Sequence, residues 1–102
     1  MIIQRLELSV LPGREVELEA VLTEIRELPF MSAGFRRLNV ARSVERPSRY
    51  VVDILWETVE DLVAFGESPR AGRWVAALRP FLAEAPRTEP LEQRPGLSVV
   101  SG

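Results

Sequence analysis

Arg49-Tyr50-Val51-Val52-Asp53-Ile54-Leu55-Trp56-Glu57 is the stretch that decides the fold. Side chains alternate across an extended backbone, so Tyr50, Val52, Ile54 and Trp56 share one face and Val51, Asp53 and Leu55 the other. Both faces carry large apolar groups, and both are therefore expected to be covered. Downstream the period changes. Thr58-Val59-Glu60-Asp61 starts a helix, with Thr58 as its cap and acids where the helix dipole favours them. Val59, Leu62 and Val63 form its apolar stripe, and Gly66 ends it. Ser68-Pro69 opens another helix, a cap followed by proline at the first helical position. Ala71, Trp74, Val75, Leu78, Phe81 and Leu82 line one side of that helix, and Pro80 frays its last turn. Pro86 then opens an extended segment from Arg87 to Gln93, which Pro90 confines to a sheet edge. Leu97 to Val100 reads as a further short strand or as an arm reaching a partner.

Upstream, Ile2 to Val10 alternates as a half-buried strand, with Gln4, Leu6 and Leu8 on one side and Ile3, Arg5 and Glu7 on the other. Pro12-Gly13 breaks it. From Arg14, the apolar residues Leu18, Val21, Leu22, Ile25 and Leu28 recur at helical spacing until Pro29 stops the helix. A strand from Phe35 to about Val44 follows the turn at Met31-Ser32-Ala33-Gly34. The order is strand, helix, strand, strand, helix pair, strand. That is an α+β, ferredoxin-like βαββαβ plan, an antiparallel sheet with its helices on one face. The opposite face mixes Ile3, Phe35, Val51 and Leu55 with Arg5, Glu7, Arg37, Asn39 and Asp53. It is too apolar for open water and too charged for a dry core, which suits a face-to-face homodimer with Asp53 meeting Arg5 or Arg37.

Composition bounds the function. The 102 residues make a single domain, residues 1–102. The pI near 5.2 gives no basic footprint, so nucleic acid is not an expected partner. No segment approaches membrane-spanning length, and Met1-Ile2-Ile3 runs straight into Gln4-Arg5 without a signal-peptide core, so a cytoplasmic location is expected. There is no His, no Cys and no Lys, and all 13 cations are Arg. Zinc, haem and pyridoxal phosphate lose their commonest anchors, so neither a metal nor a cofactor is expected.

Gly34-Phe35-Arg36 after a helix, Tyr50 through Glu57, Phe65 with Ser68-Pro69, then Trp74 and Pro80 together resemble the antibiotic biosynthesis monooxygenase domains over nearly the whole chain. The resemblance implies a dimeric α-β barrel with an apolar cavity in each subunit between sheet and helices. It also implies a cofactor-independent monooxygenase acting on an aromatic polyketide or quinol-like substrate, whose enolate reacts with dioxygen directly. In those relatives an Asn on the first strand, an Asn on the third and a Trp ending the third line the cavity. The Trp falls on Trp56, the first Asn falls near Gln4, and the second falls on Val52, where the polar group is lost. Gln4, Tyr50 and Trp56 are therefore the candidate catalytic residues, expected to line one pocket. Val52, Phe65, Arg73 and Trp74 are the candidate substrate contacts. A non-oxidative polyketide cyclase or isomerase and a non-catalytic ligand-binding dimer are the alternative readings.

Overall fold

A computed structural model describes residues 1–100. Four antiparallel strands form the sheet: β1 (Ile2–Ser9), β2 (Phe35–Arg42), β3 (Arg49–Trp56) and β4 (Arg87–Glu92), in the spatial order β2-β3-β1-β4. The helices are α1 (Glu15–Ile25), α2 (Glu27–Phe30), α3 (Val59–Gly66) and α4 (Pro69–Leu78). Short 3-10 turns follow at Arg79–Phe81 and Pro95–Leu97. This is the ferredoxin-like arrangement that the sequence predicts, with the decisive stretch as an interior strand. Among the described residues, no helix is long and apolar enough to cross a membrane.

Strand parity sets the core. Leu6 and Leu8 of β1 and Tyr50, Val52, Ile54 and Trp56 of β3 are buried against Leu18 and Leu22 of α1, Phe65 of α3 and Trp74 and Leu78 of α4. Thr58 caps α3, its Oγ1 accepting from the Asp61 N–H at 3.1 Å. Ser68 caps α4 in the same way, with Pro69 at the first helical position.

Two local features differ from the sequence reading. The first long helix does not run to Leu28; it ends at Ile25, and Pro29 lies inside the short α2 that follows. A proline ring clashes with the carbonyl four residues before it, and for Pro29 that residue is Ile25. The second difference is a β-bulge in β2. Phe35 pairs with Trp56 and Arg37 with Leu55, leaving Arg36 as the extra residue. The bulge turns Phe35 from the open face, where alternation places it, to the helix side, where it packs on the core. Arg36 pairs with Glu57 instead.

The face away from the helices keeps Ile3, Val51, Leu55 and Leu91 half-buried, with charged groups between them. Arg5 grips Asp53 with two hydrogen bonds of 2.9 Å, and Arg49 reaches Glu7 at 2.8 Å. The hydrogen bonds and charge of Asp53 raise the Arg5 guanidinium further above its ordinary pKa. Asp53 therefore already has a partner within its own chain and is not left over to meet an arginine of a second copy.

Candidate functional site

Trp56 ends β3 fully buried, and its Nε1 donates to Oε1 of Gln4 at 3.0 Å. The two residues are diagonal neighbours across the β1–β3 pairing, since Gln4 stands opposite Ile54. The Gln4 amide thus satisfies an indole N–H that burial would otherwise leave unpaired. Around Trp56 the rings form a run. Phe65 lies tilted against it at 5.2 Å between centroids, Phe35 meets it edge-on at 6.0 Å, and Phe30 meets Phe35 edge-on at 5.7 Å. Phe30 is 65% exposed while Trp56 is 0% exposed, so the run leads from the surface to the buried indole that the half-buried Gln4 amide holds.

Tyr50 lies at the other end of β3. Six residue steps of strand separate it from Trp56, about 20 Å at the usual rise. Its ring is buried and its hydroxyl donates to Oε2 of Glu19 on α1 at 2.6 Å, with the Arg42 guanidinium over the ring. Burial, reinforced by the Glu19 hydrogen bond, pushes the Tyr50 phenol up to about 12. Gln4, Tyr50 and Trp56 share a face but not a pocket, which corrects the single-pocket expectation. Alternation fixes the side of a strand, whereas a pocket also needs proximity along it.

The other predicted contacts divide in two. Val52, Phe65 and Trp74 are buried in the layer between sheet and helices, with Phe65 directly on Trp56. Arg73 is exposed on α4, one position off its buried stripe, and lines none of the clefts found. Among the described residues, Trp74 Nε1 is the buried side-chain donor left without a partner. Such a group costs about 1–3 kcal/mol unless water or a ligand oxygen accepts from it. The layer between sheet and helices is closed at Val52 and Trp56, which are inaccessible, and neither they nor Gln4 and Tyr50 line the clefts along β2 and α4.

Open space lies instead along β2. A cleft of about 570 Å3 is bounded by Arg26, Glu27, Phe30, Met31, Phe35, Arg37 and Leu38. A second, of about 270 Å3, continues it past Leu22, Thr23 and Val40 to Glu19, and the two share Arg26 and Leu38. The result is one groove between the first two helices and the outer strand, with an aromatic wall, two arginines and two carboxylates. A cleft of about 590 Å3 runs along α4, but Gly66, Ala71, Gly72, Val75 and Ala76 line most of it and no ring does. The β2 groove is the better site for a planar ligand, because stacking needs rings and orientation needs charge. Its sequence signal was Phe30-Met31, two large apolar residues where a helix gives way to a turn that ordinarily carries polar ones. Among the described residues, no group of three or more His, Cys, Asp or Glu side chains is placed to hold a metal ion.

Comparison with known proteins agrees with this architecture. A sequence model described as antibiotic biosynthesis monooxygenase matches residues 1–77. A solved structure from Bordetella bronchiseptica, provisionally assigned as an antibiotic biosynthesis monooxygenase, is 30% identical. It matches with a TM-score of 0.83 over 91% of this chain and 97% of its own. A provisionally assigned Caulobacter crescentus protein is 24% identical, with a TM-score of 0.79 over 91% of this chain and 89% of its own. SnoaB, a cofactor-independent oxygenase from Streptomyces nogalater solved as a point mutant, is 18% identical. It superposes at a TM-score of 0.80 over 91% of this chain and 92% of its own, a likeness that speaks to fold alone. No match was found among curated proteins.

Proposed function

The chain belongs to the antibiotic biosynthesis monooxygenase family, and on that premise we propose that it binds a planar, electron-rich aromatic molecule and promotes its reaction with dioxygen without a cofactor. The observation that carries this reading is the aromatic run from Phe30 through Phe35 to Trp56, ending on the Gln4 amide. A polyketide-like or quinol-like ligand would stack on the exposed rings, with Arg26 and Arg37 beside its oxygens. In the reaction a ring CH2 loses a proton and the resulting enolate passes an electron to dioxygen. The two radicals combine as a peroxide, and loss of water leaves a carbonyl. One oxygen atom ends on the ring carbon and the other in the water, and the substrate itself is the reductant. Gln4 Oε1 accepts from Trp56, so its amide N–H groups are the donors an oxyanion would meet once the Phe35 and Trp56 rings part to admit the ligand from the groove. Glu27 lines the groove and is the carboxylate available to take the proton, since Glu19 already accepts from the Tyr50 hydroxyl. The same reading places two copies face to face through the uncovered side of the sheet, in the cytoplasm.

Binding without turnover is the second reading. It is favoured by the filled space between sheet and helices and by Val52, which stands where the resemblance implies an Asn. Oxygen uptake with an anthrone-type substrate separates the two. Oxygenase activity predicts one O2 consumed per substrate, kcat lowered on the order of a hundredfold in Gln4→Leu, and a raised KM in Phe30→Ala. Quenching of tryptophan fluorescence with no oxygen uptake would establish binding alone. Neither signal would remove both readings.

A further inference from the structure

The β2 groove extends well beyond the rings that line it. From Phe30 back to Glu19 it follows the first two helices for eleven residue steps, about 16 Å at the helical rise. Phe30 and Phe35, the rings on which a planar core can stack, line only the larger cleft. The smaller cleft, of about 270 Å3, has no ring among its lining residues. Its apolar walls are Leu22, Leu38 and Val40, and its far end carries Glu19 and Thr23.

Both polar side chains at that end present acceptors. Thr23 donates its hydroxyl proton to the carbonyl oxygen of Glu19 at 2.9 Å, so its Oγ1 has lone pairs left to offer a ligand. Glu19 is an acceptor by nature, and here it is held in place. Its Oε2 accepts from the Tyr50 hydroxyl at 2.6 Å and lies 4.0 Å from the Arg42 guanidinium. Among the described residues, Glu19 Oε1 takes no hydrogen bond.

The clamp on Glu19 is built into the sheet. Arg42 and Tyr50 are directly opposite in the β2–β3 pairing, on the side that faces the helices, and the Arg42 guanidinium lies over the Tyr50 ring. Tyr50 is thus a positioning residue, whose proton fixes one carboxylate oxygen and leaves the other to the cleft. The donors of the groove stand elsewhere. Arg37 borders the larger cleft, and Arg26 stands where the two clefts join. Polarity therefore changes along the groove, from rings and guanidiniums at one end to acceptors at the other.

We propose that the ligand carries, on its planar aromatic core, a short apolar chain that lies along Leu38 and Val40 and ends in a hydroxyl or a protonated amine given to Glu19 Oε1 and Thr23 Oγ1. The inference rests on the aromatic-ligand reading of the groove and adds the class of substituent that the groove selects. A chain ending in a carboxylate would meet a second negative charge and two acceptors with no proton to give them. A methyl end would leave both acceptors to water. Glu19 is in this way a specificity residue, separate from the base at Glu27.

Dihydroxyanthraquinone probes that share one short alkyl chain, ended by hydroxyl, ammonium, carboxylate or methyl, test this by calorimetric titration at neutral pH. The hydroxyl or the ammonium probe should bind about tenfold more tightly than the methyl one, the scale of one hydrogen bond to a charged group. The carboxylate probe should bind more weakly than the methyl one. Glu19→Ala should bring the favoured probe down to the methyl level and leave the methyl probe unchanged. Glu19→Gln, which keeps an acceptor for Tyr50, should lose the ammonium preference and keep part of any hydroxyl preference. Phe30→Ala should weaken all the probes alike. Equal affinities in the unaltered chain, or a preference that survives Glu19→Ala, would overturn the proposal and leave the aromatic site standing. No binding by any probe would remove the proposal together with the reading on which it rests.

Discussion

Tyr50 is the chain's only tyrosine, so its ionisation can be followed without ambiguity. Burial, with help from Glu19, lifts its phenol from 10.0 to about 12 in the folded chain. A raised folded-state value favours the neutral form, so this contribution to stability is complete below pH 10 and is lost as pH rises from about 10 to about 12. Alkaline difference absorbance should show phenolate appearing near pH 12 in the native protein and near pH 10 in denaturant. Native ionisation near 10 would mean that the ring is wet. Tyr50→Phe keeps the packing and loses one hydrogen bond to a half-exposed carboxylate, a cost of about 1 kcal/mol that urea melts can read. At this scale the sequence was informative about direction and silent about partners. Alternation put Tyr50, Val52 and Trp56 on the helix side, where they lie. It had no means of showing that Gln4 Oε1 is held by Trp56 or that Glu19, distant in sequence, receives the Tyr50 hydroxyl.

Elements were most legible where local chemistry marks them. Thr58, Ser68-Pro69 and Gly66 bound α3 and α4 as their capping and backbone preferences dictate. The bulge at Phe35 and Arg36 was not legible, because an extra residue in a strand leaves no signature when both candidates tolerate extended backbone. Gly34, just before it, has a requirement that can be tested. Its φ of +77° lies where side chains are strained, and a Cβ there would fall 2.1 Å from Oδ2 of Asp61. Its carbonyl also accepts from the Glu57 N–H at 2.9 Å, tying the turn to the end of β3. Gly34→Ala should cost about 2 kcal/mol, or roughly 10 °C in Tm. Adding Asp61→Ala should recover only part of the loss, because the carboxylate is removed while the residue-61 Cβ, 2.6 Å away, and the backbone strain remain. Full recovery would show that the conformation itself costs nothing.

The whole molecule presents a sheet with helices on one side and a half-apolar, half-charged surface on the other. Light scattering at micromolar concentration should return twice 11.5 kDa, and a single-chain mass would remove the paired arrangement. Salt should weaken that association only modestly, since Arg5 with Asp53 and Arg49 with Glu7 satisfy the central charges within each chain. The alternating strands made the uncovered face readable from sequence alone. They did not reveal the β2 groove, whose wall is assembled from a turn, a helix end and a strand that meet only on folding. The rims of the sheet carry one more consequence. A strand with an unpaired edge is a template on which further copies can add indefinitely. Here Pro90 removes a backbone donor from β4, and the bulge at Arg36 breaks the regular edge of β2. Both rims thereby resist rim-to-rim growth into filaments, and the proposed pairing, if it forms, would use the broad face, which can be covered only once.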